Sequence, residues 1–450
     1  MKYKNDKRFF FLIFLFLSLS FLFIAPGNTA TYYVDQNHPQ ASDSNPGTEE
    51  LPWKTMIHGC EQLIAGDTLL VKNGTYATRR QPNDFMPGIR PLNSGTEDKP
   101  ITIKAYPGHQ PIIDGRTAEQ NTFGGYQVSH IIIDGFKIIY GNIHFSECSY
   151  VTVKNCELVY GLNGFPGRDP DSSYTMMIEF RFTNFAVARN NKIHGMKENM
   201  PSGGDNRAAI MLHWANDVII ENNFFSGNHI AYRNKIGSQT SGDRNIFRFN
   251  YVEDCNIGVF MGGYDKVSAD NKILQNVFVN MPISIYVNTG NIRLVIANNV
   301  FYNTPGFDVP GDAVSGITYF GQASTNQNNK IYNNIFENFE SPISNHSYNA
   351  QWPPNLYIDY NLYNEFVGFD CYWKYISHDQ FKAMVGNGNY VILNQDPKFV
   401  DPVNKNFRLK ADSPCRNAGK TGVNMGAYIA GNEIIGLIRP SPPTNLVIVP

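Results

Sequence analysis

Eight times along this chain the same short phrase returns: an apolar residue, two spacers, an Asn-type residue, one spacer and a second apolar residue. The Asn slot is filled by Asn191, Asn223, Asn250, Asn276, Asn299, Asn334 and Asn361, with Cys156 in the first copy. Three positions earlier stand Val153, Ala188, Ile220, Phe247, Ile273, Ile296, Ile331 and Ile358. Two positions later stand Leu158, Ile193, Phe225, Val252, Phe278, Phe301, Phe336 and Tyr363. Only 42% of the chain is hydrophobic, so an apolar residue at every one of these places reflects a repeat rather than composition. Self-similarity of this kind is the signature of a solenoid.

The apolar runs inside the repeat are short and β-branched or aromatic, as in Val218, Ile219 and Ile220, and Asn, Asp and Gly separate them. That pattern reads as strands between turns, whereas a helical repeat would carry apolar residues three and four apart over longer stretches. One strand, a turn at the Asn and a second strand describe one bend of a parallel coil. Stacked coils put the flanking apolar residues in columns that fill a cylinder, each coil burying its neighbour's face. The fold class is therefore all-β, a parallel β-helix, and parallel crossovers favour the right hand. The recurring Asn is expected near left-handed backbone geometry, its amide bonding turn backbone.

The chain opens with Lys2, Lys4, Lys7 and Arg8 and then an apolar run over 9–25, with Ala30 as a small residue for cleavage. Residues 1–30 read as an export signal, with a retained membrane anchor as the alternative. The protein is expected to be secreted or held at the cell surface, and monomeric. A formal net charge of −2 argues against a nucleic-acid binder. Six cysteines permit disulfides after export but are too scattered for a disulfide scaffold, and Cys148, Cys156 and Cys255 equally suit buried thiols near turns. Residues 31–100 are expected to form an N-terminal cap with the first coils, 101–435 the β-helix and 436–450 a Pro-rich linker. Ser377 with Gln380 forms a capping box opening a short helix that closes at Gly386.

Tyr32, Tyr33 and Val34, the segment from Asp43 to Thr48, Pro52 with Trp53, and the stretch from Gly66 to Tyr76 resemble the N-terminal cap of secreted right-handed parallel β-helix proteins of the pectate-lyase superfamily, whose members include polysaccharide lyase family nine. The stretch from Asp396 to Leu409, with Asn424, Met425, Gly426, Ala427 and Tyr428, is similar to their C-terminal end. Active-site phrases of polygalacturonases, alginate epimerases and pectin esterases are absent. Asn234 and Lys235 resemble the start of the Asn-Lys-Ser-Ser phrase of family six lyases, but Ile236 and Gly237 replace the serines. Met261, Gly262 and Gly263 stand where that family has Arg-His-Gly. One fold hosts many functions, so the resemblance implies architecture more firmly than activity.

Lytic cleavage of a uronate polymer needs a base at the proton beside the carboxylate, and a cation to neutralise that carboxylate. The stretch from Lys197 to Asp265 is densest in such groups. Lys235 is the candidate base, with Arg233, Arg207 and His213 as the other candidate catalytic residues. Trp214, His229, Tyr232 and Arg244 are candidate substrate contacts, and Asp205 and Asp243 candidate ligands for Ca²⁺. Each has a plainer reading, as a charge at a turn or a ring at a half-buried rim. Long insertions stand at 161–174, 196–206 and 304–328, and the first two, which leave neighbouring coils, could wall a groove for an extended polysaccharide. The expected function is polysaccharide lyase-like β-elimination on an acidic glycan. The alternative is a non-catalytic glycan-binding or structural surface protein. A glycosidase is a third reading, with Asp205 and Asp243 as its carboxyl pair.

Overall fold

A computed structural model describes residues 29–79, 86–117, 121–159, 174–195, 206–236, 242–263, 267–309, 314–348, 351–431 and 433–436. Residues 1–28 of the segment expected as a signal (1–30) and 437–450 of that expected as a linker (436–450) lie outside these residues. So does most of the first two insertions, and with them Asp205, Gly237 and Asp265. Among the described residues, no helix is long and apolar enough to cross a membrane.

Each coil contributes one strand to each of three long sheets, of 12, 12 and 11 strands among the described residues. Nearly every pairing is parallel, and strand order follows coil order, which makes the chain a parallel β-helix. The repeat explains the register. Val153 pairs with Ala188, and the column continues through Ile220, Phe247, Ile273, Ile296 and Ile331 to Ile358 in the first sheet. Leu158, Ile193, Phe225, Val252, Phe278, Phe301, Phe336 and Tyr363 form the matching column of the second sheet. Both columns are buried in the cylinder, and the aromatic part of the second stacks with ring centroids 5.1, 4.5 and 5.3 Å apart from Phe278 to Tyr363.

Between these sheets the Asn slots form a buried amide ladder. Asn223 Oδ1 accepts from Asn191 N and Nδ2 at 2.9 and 3.0 Å, while its own Nδ2 donates to Ala188 O at 2.9 Å. Asn250 repeats this toward Asn223, as the later slots do in turn. The left-handed residue, however, is the one before the slot. Asn155, Asn190, Asn222, Phe249, Gln275, Asn298, Asn333 and Tyr360 have φ of 52–58°. The slot Asn must turn its amide inward along the ladder, so the bend is made one residue earlier.

The ends are closed by helices. Met56–Gln62, N-capped by Thr55, lays Met56 and Cys60 over the first coil. The helix His378–Val385 carries the expected capping box at Ser377 and Gln380 and ends at left-handed Gly386. Its Phe381 stacks on Phe369 at 4.2 Å. The C-terminal hairpin of Phe399–Asp401 and Asn406–Leu409 packs Phe399 and Phe407 against Tyr302 on the second sheet. None of the six cysteines, all among the described residues, is joined in a disulfide. Cys156 fills its Asn slot with its N–H bonded to Asn191 Oδ1, and burial pushes its thiol up to about 12.

Candidate functional site

The third sheet departs from the regular repeat. Its strands Tyr174–Arg181 and Asn206–His213 have eight residues each, against three in the neighbouring strands of the other sheets. Alternation along a strand sends Ile178, Phe180, Ile210 and Leu212 into the core. Glu179, Arg181, Met211 and His213 therefore face outward. An outward face is ordinarily wet, yet His144, Glu179, His213 and Arg233 are 1–3% exposed.

Two outward rows carry the chemistry. In one, Glu179 pairs with His144 on one side and Met211 on the other, and the row runs on to Arg233 and Phe260. In the next, Ser146, Arg181, His213 and Lys235 occupy successive rungs, spaced by the ~4.8 Å of neighbouring strands. Glu179 joins the rows by holding two imidazoles, with Oε2 2.8 Å from His144 Nδ1 and Oε1 2.5 Å from His213 Nδ1. Burial pushes the Glu179 carboxyl up, but attraction to His144 and the hydrogen bonds from His144 and His213 outweigh it and hold the group well below the usual carboxylate range. For His213, burial, with Lys235 and Arg181 alongside, outweighs Glu179 and holds the ring below its ordinary value. His213 is thus a neutral imidazole donating from Nδ1, which leaves Nε2 as its acceptor nitrogen. Arg233 stacks its guanidinium 4.0 Å from the Phe260 ring.

The structure brings Lys235, His213 and Arg233 together on this face. Trp214 lies at its edge in a left-handed turn, its ring tilted against Phe182 at 4.7 Å with Arg181 5.3 Å from its ring. Arg207 and His229 share neighbouring rungs, since Ala208 pairs with Ile230. Each stands six residues ahead of His213 or Lys235, roughly 20 Å away at ~3.3 Å per residue. His229 bonds Asn256 there at 3.0 Å.

Two expected substrate contacts are corrected. Tyr232 points into the cylinder, 2% exposed and stacked on Phe247 at 5.1 Å, because strand alternation sends it inward. Arg244 sits in a turn ahead of the first sheet, its guanidinium held by Asp217 at 2.7 and 2.6 Å. Asp243 is likewise a turn residue, with Oδ1 accepting the Ala269 N–H at 2.8 Å. Among the described residues no three His, Cys, Asp or Glu side chains gather as metal ligands.

Sequence reasoning missed His144, Glu179 and Arg181. A signal was available: Ser146, Arg181 and His213 each stand ten residues before the slots at 156, 191 and 223. A separate cavity of about 370 Å³ lies where the C-terminal hairpin meets the second sheet, lined in part by Glu337, Glu365, Asp396 and Lys398. Asn364 bonds both Glu337 oxygens, yet burial, with Asp396 and Glu365 nearby, pushes that carboxyl up to about 7.

The family model for the Pel9A-like right-handed β-helix region matches residues 32–165. That for NosD, the periplasmic copper-binding protein, matches residues 172–374. The uncharacterized protein YwoF of Bacillus subtilis (strain 168) is 37% identical over 68 residues, 15% of this chain and only 13% of that protein's length. Among solved structures, pectate lyase Pel9A superposes with a TM-score of 0.50 at 13% identity, over 89% of this chain and 96% of its own. XylC in complex with xylose gives 0.51 at 12% identity, over 82% and 87%. At such identities the likeness is one of fold, and it fixes the right hand of the coil.

Proposed function

We propose, for a chain that is a right-handed parallel β-helix of the pectate-lyase superfamily, that it cleaves an acidic glycan by β-elimination on the outer face of its third sheet. The observation that supports this is the row of Arg181, His213 and Lys235 on successive rungs, with Glu179 fixing the middle ring. A uronate held there meets a base and cations side by side. Arg181 faces the carboxylate and offsets the charge that develops as the adjacent C–H bond breaks. Lys235, in its neutral form, takes the proton, and the C–H electron pair becomes the new C=C bond. The C–O bond to the next sugar breaks, and the departing oxygen takes a proton back from the Lys235 ammonium. His213 keeps Nε2 free of a proton between Arg181 and Lys235, while Arg233 adds positive field from the neighbouring row. The two eight-residue strands of this sheet, each preceded in sequence by a long insertion, suit an extended polymer.

Export belongs to the same reading. The basic start and apolar run of residues 1–30 act as a signal, and the mature protein works outside the cytoplasm as a monomer.

The test incubates the protein with polygalacturonate, alginate and glucuronoxylan, with and without Ca²⁺, while the ultraviolet absorbance of the unsaturated product is followed. A rise that disappears in Lys235→Ala is the expected result. A flat trace on every polymer, with polymer still bound, overturns the lyase and leaves the non-catalytic glycan-binding protein.

A further inference from the structure

At its C-terminal end the third sheet turns back on itself. Phe369–Cys371 and Tyr375–Ile376 pair antiparallel, with the Cys371 N–H bonded to Lys374 O at 2.9 Å. The two residues at the tip, Tyr372 and Trp373, both have left-handed backbone, at φ 55° and 65°. Two consecutive left-handed residues are the pattern of a type I′ hairpin turn, a position that Asn and Gly fill cheaply and bulky aromatics do not. The chain nevertheless places a Tyr and a Trp there and leaves them 53% and 72% exposed.

Beneath the tip lies a polar pair. His346 Nε2 donates to Asp370 Oδ2 at 2.7 Å, and the Trp373 ring stacks on the His346 ring at 4.2 Å with 26° between planes. Asp370 is 2% exposed, and its other oxygen, Oδ1, has no hydrogen-bond partner. A buried acceptor without a partner is costly unless something else fills it. Tyr348, 66% exposed, follows closely on His346 in the chain.

Rings also mark the way from this patch to the basic cluster. Arg233 stacks on Phe260, Phe260 lies 4.6 Å from Tyr286, Tyr286 5.5 Å from Phe320, and Phe320 6.2 Å from Tyr348. The hairpin strand Phe369–Cys371 is five rungs from the strand that carries Lys235, roughly 24 Å at the strand spacing of a sheet.

We propose that Tyr372, Trp373, Tyr348, His346 and Asp370 form a second glycan subsite that grips a neutral sugar of the polymer cleaved at Lys235. The exposed rings stack on a pyranose face, and Asp370 Oδ1 accepts a hydroxyl. A carboxylate in that place repels a uronate, so the subsite selects a neutral residue. The substrate class is then a polymer that mixes acidic and neutral sugars. This deepens the lyase reading and rests on it for the position of the cut.

The test is native gel retardation of the full protein by glucuronoxylan, arabinoxylan and polygalacturonate, beside thermal unfolding. The variants are Trp373→Ala and the double change Tyr372→Asn with Trp373→Gly. The double change installs the residues a type I′ turn prefers, so it is expected to unfold at a higher temperature while binding glucuronoxylan about a hundredfold more weakly, the loss of two stacked rings. Trp373→Ala removes one ring and weakens binding about tenfold. Unchanged retardation in both variants, or wild-type protein retarded by polygalacturonate alone, overturns the subsite and leaves the lyase standing. Retardation that depends on Trp373 without any elimination product supports the subsite and sinks the lyase reading instead. Protein retarded by none of the three polymers overturns the subsite outright.

Discussion

Replacing Glu179 by Gln tests the electrostatic centre of the cluster. The wild-type carboxylate accepts a hydrogen bond from Nδ1 of both His144 and His213. An amide has one oxygen and one NH2, so it can accept from only one ring. The other imidazole must shift its proton to Nε2 and accept at Nδ1. Two charge-assisted bonds become two neutral ones, a loss of about 0.5–1.5 kcal/mol each and so about 1–3 kcal/mol at neutral pH. The pH dependence is the sharper readout. Glu179 has a folded-state pKa below its ordinary 4.5, so its contribution is present above that value and lost as pH falls beneath it. There the unfolded state takes up a proton that the folded state refuses, and wild-type stability drops by as much as about 1.4 kcal/mol per pH unit. The variant has no such proton. Every other carboxylate titrates alike in both proteins, so the gap between them narrows below pH ~4.5. Urea midpoints by circular dichroism at several pH values from neutral down to about 3 measure it. A gap that stays constant through that range would mean that the two imidazoles do not hold Glu179 ionised.

Further outcomes follow from other parts of the molecule. Lys235→Ala is expected to lower the rate of unsaturated-product formation by at least about a hundredfold while leaving the urea midpoint near wild type, because the side chain is half-buried at a strand end. Asn250→Ala removes the acceptor of the Asn223 N–H and the donor to Ile220 O inside the cylinder. With a buried N–H left unpaired, the expected cost is about 2–4 kcal/mol, read from the unfolding midpoint. Glu337 behaves oppositely to Glu179. Its carboxyl is raised from 4.5 to about 7, so its favourable contribution is full below pH ~4.5 and is lost as pH rises through about 7. Glu337→Gln should therefore stabilise the protein relative to wild type at pH ~8 and not at pH ~4, by thermal unfolding.

The sequence was informative where the coil is regular and silent where it is not, and the reason is mechanical. In the first and second sheets the turn at the Asn slot has a fixed length, so Val153 and Leu158 predict the positions of every later core residue on those faces. The ladder also explains the one local misreading. An Asn whose amide must reach the slots on both sides cannot also supply the left-handed bend, so the residue before it does. The third sheet lies upstream of the slot, with insertions of different length between the two. Counting back ten residues aligns Arg181 with His213, but Lys235 stands fifteen residues before Asn250 and escapes the pattern. Without that alignment the inward Tyr232 and the outward Arg233 look alike, and Glu179, between two apolar core residues, looks like an accident of composition. The same freedom in length lets this sheet extend its strands and carry charged rows without disturbing the Asn ladder, which lies on a different edge of the cylinder. Functional groups are best sought on the third sheet, by counting back from each slot rather than by matching a motif.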